Sequence, residues 1–247
     1  MKQHVFSGET PACCFMHVDT GLFVSSPEFC FLQLANQLPL VKLIELGYEL
    51  CGTYSLPTAG DPDIPARGFY SRQPLTSTDR LDAFIAGMPN VKGRKKALRA
   101  LRYILDSSAS PMETKLSILL TLPYLLGGFG LITPELNGRI IIPKAIRKSA
   151  SRASFACDLY WPDYALAVEY DSDQYHTGSK RIADDAKRKN ALASLGVTII
   201  TITKQQIYNP AELEKAARLL AKNMDKRLLY DKPRFAVAHH ELRKLLL

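Results

Sequence analysis

Two neighbouring apolar segments, Phe155–Trp161 and Ala165–Asp171, each carry an acid among residues that otherwise want burial. The first reads Phe-Ala-Cys-Asp-Leu-Tyr-Trp and the second Ala-Leu-Ala-Val-Glu-Tyr-Asp, with Pro162-Asp163 between them. Aromatic and β-branched residues alternate in both, so they are expected to form a β-hairpin turning at Pro162-Asp163. Such a hairpin sets Asp158 close to Glu169 or Tyr170 across the ladder. A buried carboxylate is costly to desolvate unless something positive compensates it. The chain must therefore fold so as to place a cation, or strong hydrogen-bond donors, beside these acids.

The elements around the hairpin define the fold class. Ser110-Pro111-Met112-Glu113 opens a helix that runs to about Leu122, and a short strand is expected at Arg139–Ile142. Ser179–Leu195 reads as a helix stopped by Gly196, Val197–Thr203 as a buried strand, and Ala211 to about Arg227 as a last helix after Pro210. This order implies an α/β fold with a mixed sheet. Residues 1–106 read as a smaller α+β region. It has strands at Cys14–Val18 and Leu22–Ser25, a helix from Pro27 to about Leu38, a long loop over 57–76, and helices near Thr78–Ala86 and Lys92–Leu105. A boundary at Ser107–Ser110 divides the chain into 1–106, 107–230 and a C-terminal tail or helix, 231–247.

At 247 residues, 47% apolar and 23% charged, the composition is that of a globular protein, which excludes disorder throughout. No uncharged apolar run reaches the length of a membrane span. The N-terminus has no apolar signal-peptide core, and the five cysteines follow no disulfide or zinc spacing. A cytoplasmic protein with no membrane partner is the expectation.

The formal charge of +8 is uneven. Residues 1–106 carry 11 Lys+Arg against 10 Asp+Glu, whereas 107–247 carry 21 against 14. Between Glu135 and Asp158 there is no acid, but there are Arg139, Lys144, Arg147, Lys148 and Arg152. Between Asp82 and Asp106 there is again no acid, and Lys92, Arg94, Lys95, Lys96, Arg99 and Arg102 follow one another. One basic run is ordinarily a solvated face. Two such runs point to a nucleic-acid partner, since neutralising phosphates releases counterions.

The residues Glu113, Asp158, Glu169-Tyr170-Asp171 and His176, followed by a helix carrying Asp184-Asp185-Ala186-Lys187-Arg188-Lys189 and the Gly196-Val197 turn into a strand, resemble the PD-(D/E)XK nuclease superfamily. The closest likeness is to its very-short-patch-repair-endonuclease-like branch, over roughly 110–222. The resemblance implies a restriction-endonuclease-like mixed sheet flanked by helices. It also implies a Mg²⁺-dependent (or Mn²⁺-dependent) endonuclease that hydrolyses DNA phosphodiesters through a metal-activated water. On it, Asp158 and Glu169 are metal ligands and Tyr170 lends its backbone carbonyl. Asp171 and Glu113 complete or tune the site, and His176 is a general acid/base or phosphate contact. Arg139, Lys144, Arg147, Lys148, Arg152, Lys187 and Arg188 would bind the nucleic acid, DNA being expected and RNA remaining open. Bacterial defence, toxin–antitoxin regulation and repair are all compatible settings.

Two features depart from the pattern. The superfamily's lysine, two residues after the glutamate, is Asp171 here, and the branch's Asp-Gly is Asp171-Ser172. Lys180, Lys187 or Arg188 can supply positive charge from the next helix instead. Each acid also has a structural alternative: Glu113 as a capping-box glutamate after Ser110, Asp158 tied to arginine or backbone amides, and Glu169 with Asp171 as a solvent-facing pair. His176 is then a plain loop residue, and Asp184 and Asp185 are salt-bridge partners of Arg188 and Lys189. Segments 24–28 and 49–54 of the first half loosely resemble abortive-infection antitoxin-like proteins. This suggests the rival reading, a nuclease-fold DNA-binding regulator without catalysis, and leaves room for a protein partner of the N-terminal region.

Overall fold

The computed structural model describes residues 10–147, 152–171, 179–229 and 233–247; the side chains of 12, 146, 179–185 and 233 are not described. The chain divides into two compact units, Met1–Asp106 and Ser107–Leu247.

The first unit begins with a hairpin, β1 (Phe15–Asp19) against β2 (Leu22–Ser25), and continues into α1 (Pro27–Leu34). Ser26 caps α1 by accepting from the Phe29 amide, with Pro27 at the first helical position. The helix expected to run to Leu38 stops at Leu34, and a separate helix that the sequence did not mark off, α2 (Leu40–Cys51), follows Pro39. Proline cannot continue a helix but opens one readily. A two-residue ladder, β3 (Tyr54–Ser55) with β4 (Tyr70–Ser71), closes the long loop. Helices α3 (Thr78–Ala86) and α4 (Arg94–Leu101) complete the unit. Its core is Phe29, Phe31, Leu32, Leu43, Ile44, Tyr48, Leu81 and Ile85, all fully buried.

The second unit is mixed α/β: a four-stranded mixed sheet flanked by helices. After α5 (Pro111–Thr121) come β5 (Glu135–Ile141), β6 (Ser154–Trp161) and β7 (Leu166–Asp171), then α6 (Ser179–Ser194) and β8 (Thr198–Thr203). The sheet order is β5-β6-β7-β8, antiparallel except for the parallel pair β7/β8, which α6 connects. The β6–β7 hairpin turns as expected, through a short 3-10 helix at Pro162–Tyr164 with Ala165 at φ 43°. Gly196, at φ 75°, ends α6. Beneath α6, Ala191 and Leu192 pack with Ile140, Ile142, Phe155, Cys157, Ala167 and Val197.

One expectation is overturned. Val-Thr-Ile-Ile-Thr-Ile-Thr reads as a buried strand, yet β8 is the edge of the sheet and only Ile202 of it is fully buried. A continuous β-branched run marks strand propensity, and burial depends on having a neighbour on both sides.

Three helices follow: α7 (Lys204–Tyr208), opened by a Thr203/Gln206 capping box, α8 (Pro210–Asn223) and α9 (Pro233–Leu246). The last packs on α5 and the turn at Tyr124–Leu126. Gly127 makes that seat possible: at φ 88°, an added Cβ would lie 2.3 Å from the Ala238 carbonyl oxygen. No helix among the described residues is long and apolar enough to cross a membrane.

Candidate functional site

The site lies where the β6–β7 hairpin loosens. Pairing runs from Trp161↔Leu166 through Leu159↔Val168 and then stops, and on the other side Asn137 and Asp158 are missing from an otherwise continuous β5/β6 register. Asn137 takes φ 51°, a left-handed conformation that asparagine tolerates better than most residues. Burial alternates along β6: Phe155, Cys157, Leu159 and Trp161 are buried, and Asp158 between them is half-buried. Asp158 falls where both ladders are interrupted. Instead of a ladder bond, its Oδ2 accepts the Tyr170 amide N–H at 2.7 Å. Counting across the hairpin sets Asp158 level with Glu169, and the bond it makes is to the next amide, Tyr170, within the expected pair.

Glu113 approaches the same point from α5. It stands third in the helix, and its amide donates to Ser110 Oγ at 3.1 Å. Its carboxylate accepts the Ala109 amide, the Ser110 hydroxyl and the Asn137 side-chain amide, each at 2.9 Å. The capping alternative therefore holds, but it does not exhaust the residue. Burial, and after it the negative charge of Asp158, pushes the Glu113 carboxyl above its ordinary range. Asp158 is pushed up by its own burial, against the opposing pull of the Tyr170 amide and the Arg188 guanidinium. The charge of the half-buried Asp158 is thus felt at the buried Glu113.

Arg188 of α6 is the cation at the site. Its Nη2 pairs with Glu169 and donates to the Ala156 carbonyl at 2.6 Å, and the guanidinium carbon lies 5.7 Å from the centre of the Phe155 ring. Glu169 is thus held by a guanidinium from the helix rather than by the lysine that the superfamily pattern places at position 171. The Cys157 thiol is pushed up to about 11 by burial and by the charge of Glu169, so it stays protonated and is no nucleophile.

The remaining expected residues fall into three groups. Asp171 ends β7 opposite Thr203 and is half-buried; lying two residues after Glu169, it points to the same side of the strand. Arg139, Lys144, Arg152 and Lys187 are exposed, whereas Arg147 donates its Nε to the Ile142 carbonyl at 2.9 Å. His176 and Lys148 lie outside the described residues. Asn137 was not anticipated. Its amide joins Glu113 to the Ser107 carbonyl at 2.8 Å, and its only sequence signal is the Asn137-Gly138 dipeptide, which favours positive φ.

Among the described residues, no three or more His, Cys, Asp or Glu side chains converge as a metal site. The donor set is smaller, comprising the carboxylates of Asp158 and Glu169 and the backbone around Tyr170. Mg²⁺ is commonly held by one or two carboxylates, its other positions going to water and substrate phosphate. Here Asp158 Oδ2 accepts the Tyr170 amide and Glu169 pairs with Arg188, so a cation would share these carboxylates with the partners they already have. Comparison with protein-family models, with curated proteins and with solved structures finds no match.

Proposed function

We propose that the second unit is a restriction-endonuclease-like domain of a cytoplasmic protein, which hydrolyses DNA phosphodiester bonds with the help of Mg²⁺ or Mn²⁺. The observation that supports it most is Asp158, a half-buried acid in a strand interior. Its charge reaches a buried acid, Glu113, and it is itself within reach of the Arg188 guanidinium that pairs with Glu169. Burial that raises a carboxyl costs the fold stability, and groups perturbed in this way cluster at functional sites.

In this reading Asp158 and Glu169, with the Tyr170 carbonyl, hold the ion. When bound, the ion polarises a phosphoryl oxygen and acidifies an attacking water. Arg188 supplies the positive charge that the missing lysine would have given, in a form suited to bidentate phosphate contact. Asp171 and Glu113 tune the acids, and His176 serves as general acid/base or phosphate contact. Arg139, Lys144, Lys148, Arg152 and Lys187 hold the DNA backbone. The five free cysteines suit a reducing compartment.

A second reading, a DNA-binding regulator of antitoxin-like character without catalysis, draws on one observation. Glu113 already has three donors and Glu169 already has a guanidinium partner, so the acids are partly compensated without a metal. Calorimetric titration with Mg²⁺ and Mn²⁺, beside a plasmid-nicking assay, separates the two. The nuclease reading expects wild type to bind metal and nick, and Asp158→Ala to do neither while still binding DNA. A wild type that neither binds metal nor nicks overturns it and leaves the regulator.

A further inference from the structure

The six basic residues of 92–102 form one run in sequence, but the structure divides them into two sets. Arg94 donates its Nε to the Ile85 carbonyl at 3.1 Å, and Lys96 donates its Nζ to the Leu38 carbonyl at 2.9 Å. Both donate to backbone carbonyls near helix ends, as basic side chains commonly do. Lys92, Lys95, Arg99 and Arg102 are exposed, and among the described residues none of the four takes part in an ion pair. At 100° per residue, Lys95, Arg99 and Arg102 fall within an arc of about 60° and span about 10 Å along the axis. Lys92 extends the row from the turn before Gly93.

The opposite face of the helix fixes this orientation. Ala97 and Ala100 are fully buried, and α4 packs against α1, α2 and α3. Gly93, at φ 94°, lets the chain enter so close to α1 that an added Cβ would lie 2.9 Å from the Asn36 amide. The cationic row therefore cannot rotate inward.

The row works against the stability of its own helix. Lys95–Arg99 and Arg99–Arg102 are like-charge neighbours at i,i+4 and i,i+3, each mildly destabilising. Arg94 and Lys95 also sit at the helix N-terminus, where the macrodipole disfavours cations, and the first turn has no acid to offset them. The exposed Asp79 and Asp82 of α3 border a recess shared with Arg102, Leu98 and Leu101, and mark where the row ends.

We infer that the exposed row Lys92, Lys95, Arg99 and Arg102 on α4 is a docking surface for the phosphate backbone of duplex DNA, carried by the first unit. Duplex DNA presents one charge per about 1.7 Å of its axis, so the row meets several phosphates at once and relieves its own repulsion in doing so. This contact needs no divalent cation and no cleavage, so it stands or falls apart from the nuclease reading.

The test uses the full chain, a fluorescein-labelled duplex of mixed sequence and EDTA throughout, with anisotropy read across a range of NaCl concentrations. Each phosphate contact contributes about 0.9 to the slope of log K against log salt. Neutralising all four residues to glutamine should lower that slope by about 2 to 4 and weaken binding at low salt by at least tenfold. The thermal midpoint should hold or rise, because like-charge repulsion is removed. Should the fourfold variant fail to fold, Lys95→Gln/Arg99→Gln carries the same test, with a slope change of about 2. A control removes four exposed charges elsewhere, at Lys215, Lys222, Arg227 and Lys244. The inference is overturned by an unchanged slope in the α4 variants, by an equal loss in the control, or by preference for single-stranded RNA of the same length.

Discussion

Each unit of the protein buries a glutamate in the first turn of a helix that begins Ser-Pro or Ser-Pro-Met, and the two glutamates have very different company. Glu28 is 5% exposed and Glu113 is 8% exposed. Glu28 accepts the Thr76 hydroxyl at 2.6 Å and an ion pair from Arg80 at 3.1 Å. Glu113 accepts three neutral donors and faces Asp158, another acid. In the first unit a cation and a hydroxyl compensate the buried charge, and the group ties α1 to the chain before α3. In the second, the negative charge of a half-buried acid adds to the burial of Glu113, an arrangement that weakens the fold and is expected where a ligand completes it. A buried acid in a sequence is thus uninformative by itself; the sign of its neighbours separates structure from site.

The sharpest way to break this comparison is to remove the compensated acid. Glu28→Ala strands the Thr76 hydroxyl in the interior and should destabilise the first unit by about 2 kcal/mol, the scale of an unsatisfied buried partner. Measured by urea denaturation, that loss should leave nicking per folded molecule unchanged. A stable Glu28→Ala variant would mean that this glutamate is as uncompensated as Glu113, and the contrast would vanish.

Asp158→Asn should act in the opposite direction. Asparagine still accepts from the Tyr170 amide, while the charge facing Glu113 disappears. Stability at pH 7 should rise by on the order of 1 kcal/mol, about 3 °C in Tm for a unit of this size. The pH dependence gives the same comparison a sign. Both acids are pushed above their ordinary values of 4.5 and 3.8, so the folded chain holds their protons more tightly than the unfolded chain. Their contribution to stability therefore falls as pH rises through the folded values toward neutrality. In Asp158→Asn that fall should shrink, and parallel wild-type and variant curves between pH 4 and pH 7 would refute the coupling.

Much of the second unit was legible because its signals are local. The hairpin and its Pro162-Asp163 turn follow from strand periodicity, and counting across the ladder sets Asp158 level with Glu169, next to the Tyr170 amide from which it accepts. The cap at Ser110 follows from a short motif. What was not legible depends on the relative placement of distant elements. Arg188 meets Glu169 because of the phase of α6 over the sheet, and three adjacent basic residues give no hint which one turns inward. Asn137 reaches Glu113 only because a positive φ interrupts β5. Burial of β8 was overestimated because composition records the propensity of a strand and not its rank in the sheet. In the first unit, α2 was missed because its boundary is a single proline within one apolar stretch, and Arg94 and Lys96 were indistinguishable in sequence from the exposed cations around them.

The smallest effect tests which partner compensates Glu28. Arg80 keeps 66% of its side-chain surface in water, so its attraction to Glu28 is screened, and holding the long side chain in place costs entropy. The Thr76 hydroxyl is buried with the carboxylate and, at 2.6 Å, is a short charge-assisted donor. Arg80→Gln should therefore cost only about 0.5 kcal/mol at low salt, and less at 1 M NaCl. Thr76→Val should cost more, about 1 to 2 kcal/mol, and be insensitive to salt. If Arg80→Gln proves the more damaging, the guanidinium dominates. The two glutamates then differ simply in having or lacking a cation, and adding one beside Glu113 should make the second acid as structural as the first.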